Sequence, residues 1–193
     1  RINDGPIQIR TLGLKDSEGE FWLSSGGGTS PGSGKIQNRR KSEDAVKVKV
    51  TTLDQMAQEL DWFHRDIAIL KVDVEGLEHP VFMGGKKLLA SGRIQNIFME
   101  GNVGKGPKMR MFKELCEQFV LDGYYAHMIG GYTGPINSAL ELHSSDANFC
   151  ETLLLECRGG VIRKESGKVR AQCNVWWKLD RSSISRSETG VVA

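Results

Sequence analysis

Apolar and polar positions alternate along this chain with two different periods. Ile67 to Leu70, followed by Lys71 and Val72, is an almost unbroken apolar run of strand length. Such a run predicts a strand covered on both faces, the signature of a parallel sheet. Ile94 to Glu100 and Thr152 to Cys157 read the same way, as core strands, and Tyr124 to Ile129 as a further strand. Val46 to Val50 alternates strictly with lysine and predicts a half-exposed strand, paired as a hairpin with Phe21 to Leu23. Ile7, Ile9 and Leu12 suggest another strand, and the run around Trp176 an edge strand.

Helical spacing governs three other stretches. Leu53, Met56, Ala57 and Leu60 mark a helix opened by Thr52 as N-cap, with Gln55 three residues on. A second helix is predicted from His79 to Ala90, with Pro80 in its first turn, where a missing N–H costs nothing. Its Gly84–Gly85 pair predicts close approach of helix backbone to the sheet, and Ser91–Gly92 its end. The third runs from Lys108 to Asp122 with Phe112, Leu115, Cys116, Phe119 and Val120 on one stripe and Gly123 just past the end. A hairpin followed by strand–helix repeats gives an α/β fold with a mostly parallel sheet and right-handed crossovers.

Punctuation bounds the domain. Ser24 to Gly34 is too rich in Gly and Ser to pack and reads as a flexible loop, with the solvated cluster Arg39 to Lys41 beyond it. Its Gly32-Ser33-Gly34-Lys35 is not a phosphate loop: Thr29 stands at the first glycine position, Ile36 follows the lysine, and no apolar strand leads in. Gly130 to Asn148 is mostly loop. The Ser-rich segment from 181 on predicts disorder, so one domain over residues 1–179 and a tail over 180–193 are expected.

Composition narrows the function classes. A formal charge of +2 gives no drive toward nucleic acid or an anionic membrane, and no apolar run approaches the ~18 residues of a membrane span. Cys116, Cys150, Cys157 and Cys173 form no CxxC pair and have no histidine at zinc spacing, so free, mostly buried thiols are expected. No Ser stands in a G-x-S-x-G elbow.

The acids carry the chemistry. Asp73 and Glu75 follow the central strand, where open parallel sheets bind ligands, and Gly76 turns the chain. Glu100 ends the next strand, so Asp73 and Glu100 are expected side by side on one rim. Paired there, carboxylates can take a proton from a substrate hydroxyl or bind its hydroxyl groups. With Asn102 they can also hold a divalent cation. Glu78 lies in the first helical turn, where a carboxylate is stabilised in any case. Lys71 is placed to pair with an acid, and His79, beside the acidic segment, is a weaker candidate base.

Lys71-Val72-Asp73-Val74-Glu75-Gly76, Glu78 and the Gly84–Gly85 pair resemble the hallmark segment of the FkbM family of methyltransferases. Leu14 to Leu23, Thr51 to Asp54 and the strand ending at Glu100 fit the same family in the same order, over roughly Ile7 to Gly123. The resemblance implies a Rossmann-like methyltransferase fold, S-adenosylmethionine as cofactor, and methyl transfer to an oxygen of a sugar or other small hydroxylated molecule. By the resemblance the Asp73 segment lies beside the cofactor's transferred methyl and Asp16 near the adenine; from their places at the strand ends, Asp73, Glu75 and Glu100 are expected as catalytic residues and Glu78 and Asn102 at the substrate, with no metal assigned. The resemblance also implies that the cofactor's Gly-rich loop and the following acid precede Arg1, so that the chain is N-terminally truncated within its domain. Two other readings stand beside this one: a binding module that kept the fold and lost the cofactor site, and a Mg²⁺-dependent variant using Asp73, Glu100 and Asn102.

Overall fold

The computed structural model describes residues 7–24, 35–74, 76–102, 106–129, 141–142, 150–151, 153–154, 163–165, 168–170 and 172–181. Residues 25–34, most of 130–148, and 182–193 lie outside it, and with them the expected loops and tail. In chain order, β1 (Gly13–Leu14), β2 (Gly19–Ser24), β3 (Lys35–Gln37) and β4 (Val46–Thr51) lead into α1 (Leu53–Glu59). Then come β5 (Leu70–Val72), α2 (Glu78–Met83), α3 (Lys86–Ala90), β6 (Asn96–Asn102), α4 (Pro107–Leu121), β7 (Tyr124–Met128) and β8 (Glu141–Leu142). β9 (Arg163–Glu165) and β10 (Lys168–Arg170) form a separate ribbon before β11 (Gln172–Leu179).

The small sheet has the order β1-β4-β2-β3. β2 and β4 form the expected antiparallel pair, with Phe21 opposite Val48. The first strand is shorter than the apolar pattern suggests. Backbone pairing starts only at Gly13, and Ile7 and Ile9 project into solvent.

The large sheet has the order β5-β6-β11-β7-β8. β5 and β6 are parallel neighbours, as their linkage through helices predicts. β11 lies antiparallel to both β6 and β7, so β5, β6 and β7 run one way and β11 is threaded between two of them the other way. The expectation of a mostly parallel sheet therefore fails here, as does that of an edge strand around Trp176. The reason lies in the connections. β5 and β6, joined through α2 and α3, run parallel, whereas β11 follows the β9–β10 ribbon and runs antiparallel to both its neighbours. Its alternation reports a half-covered strand correctly, with Cys173, Val175, Trp177 and Leu179 buried, but says nothing about its place in the sheet.

One face of this sheet is packed by α2, α3 and α4. Phe119 sits at the centre, its ring 4.9 Å from Phe82, 4.6 Å from Trp177 and 5.8 Å from Tyr124. The buried Tyr124 hydroxyl donates to the Ile94 carbonyl at 2.9 Å, so this aromatic core leaves that polar tip satisfied.

Thr52 caps α1 as expected, accepting the Gln55 N–H at 3.0 Å. The predicted helix from His79 to Ala90 is two helices, broken at Gly84–Gly85. The pair does serve close packing, but against other partners than the sheet. A Cβ on Gly84 would collide with the Lys15 carbonyl, and one on Gly85 would lie 2.7 Å from the Leu53 side chain. Asp54 completes this junction: its two carboxylate oxygens accept the N–H groups of Lys87 and Leu88 at 3.1 and 2.9 Å. Asp54 stands in the first turn of α1, where its charge suits the positive end of the helix, and it caps the first turn of α3 as well.

Cys150, Glu151, Leu153 and Leu154 are helical, not part of a strand, because a short apolar run does not distinguish a buried strand from a buried helix. Cys116 is a buried free thiol as expected, and Cys150 is free, but Cys173 is disulfide-bonded. Cys157 lies outside the described residues.

Candidate functional site

The rim where β5 and β6 end is built by their register. Lys71 stands opposite Phe98 and Val72 opposite Met99. One step further, Asp73, just past the end of β5, and Glu100, still within β6, line the same cleft, of about 540 Å³. Lys71, Phe98 and Asn174 form its walls. The rim pairing expected from the sequence is thus present.

Asp73 is held by Lys71, whose ammonium donates to Oδ2 at 3.0 Å, with both side chains more than half exposed. An exposed ion pair contributes only roughly 0.2–1 kcal/mol, so a charged ligand can exchange for either partner at little cost. The pair offers one cationic and one anionic group at the mouth of a cleft whose volume falls in the range of small-molecule sites.

Behind the rim the chain turns at Gly76, with φ of 94°, a conformation that costs an L side chain dearly. The turn feeds α2, whose N-cap residue Leu77 supplies no side-chain cap. Glu78 does related work: it is only 4% exposed, and its Oε1 accepts the Gly76 N–H at 3.1 Å. Glu75 lies outside the described residues, as does the Asn102 side chain, although the Asn102 backbone ends β6 opposite Gln172.

Glu78 also lines a second, smaller pocket of about 120 Å³ on the helix side of β6. Met99, Met111, Phe112 and Leu115 make its apolar wall, and Met99 and Glu100 belong to both cavities. His79 stands at its edge with Nε2 3.1 Å from Glu114 Oε2, tying α2 to α4. Asp16 is elsewhere. Its loop packs on Gly84, the C-cap of α2, whereas Glu78 opens that helix, about 9 Å away along its axis. Lys15 donates to the Asp16 carboxylate at 2.6 Å and this hydrogen bond, with the ammonium's charge, holds its pKa below the usual value.

Sequence reasoning missed the floor beneath the rim. Lys71, Phe98, Trp176 and His127 stand in one cross-strand row on the face of the sheet away from α4. Phe98 and Trp176 stack at 5.8 Å with planes 3° apart, and Trp176 and His127 stack at 4.6 Å. Trp176 Nε1 donates to Asn96 Oδ1 at 3.0 Å. Rings locked face to face by their neighbours make a stiff support for the residues one step along each strand, Glu100 and Asn174. The available signal was period-two alternation, which puts each of these residues opposite the core; the register that aligns them is not local information.

Two carboxylates of neighbouring parallel strands thus stand over a cleft of ligand size, toward the carboxyl ends where α/β sheets commonly bind small molecules. The sequence profile of the methyltransferase FkbM domain matches residues 2–124, and the chain belongs to that family. No curated protein and no solved structure matches the chain. Among the described residues, no group of three or more His, Cys, Asp or Glu side chains is arranged to hold a metal ion, and no helix is long and apolar enough to cross a membrane.

Proposed function

We propose that this methyltransferase uses S-adenosylmethionine and methylates a hydroxyl oxygen of a sugar or other small hydroxylated molecule. The observation that carries the reading is the convergence of Asp73 and Glu100 on one cleft in a chain of this family. The donor set suits the cofactor's amino-acid end: Lys71 complements an α-carboxylate and Asp73 an α-ammonium group, and the two already stand 3.0 Å apart. Asp16 joins the proposal on the adenine side through the family resemblance alone, and Glu75 as a catalytic residue and Asn102 at the acceptor through their places in the sequence beside the strand ends. When bound, the cofactor supplies a sulfonium-activated methyl group open to in-line displacement.

The chain's own work is alignment and proton handling. The cleft holds the acceptor oxygen on line, which by itself lowers the barrier substantially because no freedom remains to be lost. Glu100 takes the hydroxyl proton as the oxygen gains its new bond. Asp73, bound to the cofactor's ammonium group, is not free to do so, which divides the labour between the two acids. Neither role calls for a metal.

Calorimetric titration of the full-length protein with S-adenosylmethionine tests the assignment. Binding is expected, with at least a tenfold loss in Asp73→Ala and less than twofold change in Glu100→Gln. Glu100→Gln is expected to lower kcat by 10²-fold or more, on the scale of a lost general base. A folded full-length protein that takes up no S-adenosylmethionine sinks the proposal.

A further inference from the structure

The two cavities that share Glu100 differ in chemistry. The large one, on the open side of β6, is walled by Lys71, Asp73, Glu100 and Asn174 as well as by apolar atoms. The small one, on the helix side, has an apolar wall of Met99, Met111, Phe112 and Leu115, with Glu78, His79, Glu100 and Lys108 around it. Two of these are methionines, whose unbranched side chains adapt to ligands of varied shape. At about 120 Å³ the small pocket is below the ~150 Å³ of an engineered apolar cavity that binds benzene, a size that suits a short branch better than a six-membered ring.

Against the wall of Met99, Met111, Phe112 and Leu115 a hydroxyl group loses its water for little in return. An alkyl group does gain there, at roughly 0.8 kcal/mol for each methylene buried. Glu100, at the boundary of the two cavities, is where the reacting hydroxyl belongs on the reading proposed above.

We infer that the small pocket seats a short aliphatic branch of the acceptor, so that the acceptor class is an alcohol carrying an alkyl group next to the methylated hydroxyl, not a fully hydroxylated sugar. This rests on the methyltransfer reading for its role, but its binding prediction is independent of the cofactor. Glu78 and Glu100 line the pocket beside its apolar wall, and Met111, on the partly exposed face of α4, forms the adjustable part of it.

The test is a titration of the full-length protein, labelled with ¹³C at the methionine methyl groups, with 2-methyl-1-propanol, glycerol and cyclohexanol in turn. Saturable shifts of the Met99 and Met111 methyl resonances are expected with 2-methyl-1-propanol alone. Met111→Trp, which fills the pocket, is expected to weaken that binding at least tenfold while leaving S-adenosylmethionine affinity within twofold. Met111→Ala, which enlarges it, is expected to admit cyclohexanol. Absence of saturable shifts, equal response to glycerol, or indifference to both Met111 variants overturns the inference. Failure of S-adenosylmethionine to bind while the alcohol still saturates removes the methyltransfer reading and leaves an alcohol-binding pocket.

Discussion

Val46, Val48 and Val50 of β4 alternate with lysines, and Val175, Trp177 and Leu179 of β11 take alternate positions with Trp176 and Lys178 between them. Yet Val46 is 55% exposed, while Val175 and Trp177 are fully buried. The difference is not in the strands but in what lies over them. β11 has α4 above its apolar side, where Phe119 meets Trp177, whereas β4 is buried at the end that leads into α1, at Val50. Alternation tells which side of a strand is apolar; a second layer decides whether that side stabilises anything.

The largest expected effect lies in the covered sheet. Phe119→Ala removes a ring that touches Phe82, Tyr124 and Trp177, and is expected to cost about 3–5 kcal/mol in urea unfolding. A cost under about 1 kcal/mol would mean that the helix layer is not tightly seated. Next comes the junction between the sheets. Gly84→Ala forces a methyl into the Lys15 carbonyl, for an expected loss of about 1–3 kcal/mol. Hydrogen exchange should then quicken in β1 and β4 before it does in β6; equal acceleration in both sheets would show that they unfold as one unit. The smallest effect belongs to the exposed end of β4. Val46→Ala is expected to stay within about 0.5 kcal/mol, and a larger loss would point to a partner covering that surface.

What could be read from the residues alone follows the same division between local and distant causes. The Thr52 cap, the Gly76 turn, the stripe of α4 and the Gly123 C′ position are settled within a few residues, and all appear where expected. The meeting of Asp73 with Glu100 was also legible, because a single helical crossover makes their strands neighbours. The interior place of β11, the role of Asp54 as a cap for α3, and the break at Gly84–Gly85 were not. Each depends on a residue far away in sequence: Asn96 for β11, Leu88 for Asp54, Lys15 for Gly84. The acids of the site were visible because their positions in the strands are local. The aromatic row beneath them was invisible because it exists only once four strands are in register.

The threading of β11 sets an order in time. Trp176 and its partner Asn96 are 80 positions apart, and β6 and β7 meet only through the strand that lies between them. While the chain is being synthesised, both must wait with unpaired edges until the segment carrying Trp176 and Trp177 has emerged. Long-range pairing of this kind slows folding and exposes strand edges meanwhile. Since Asn174 and Val175 also line the cleft beside Glu100, the site cannot take its final form before the sheet closes: a nascent chain stopped short of residue 172 carries both acids and no finished pocket to use them in.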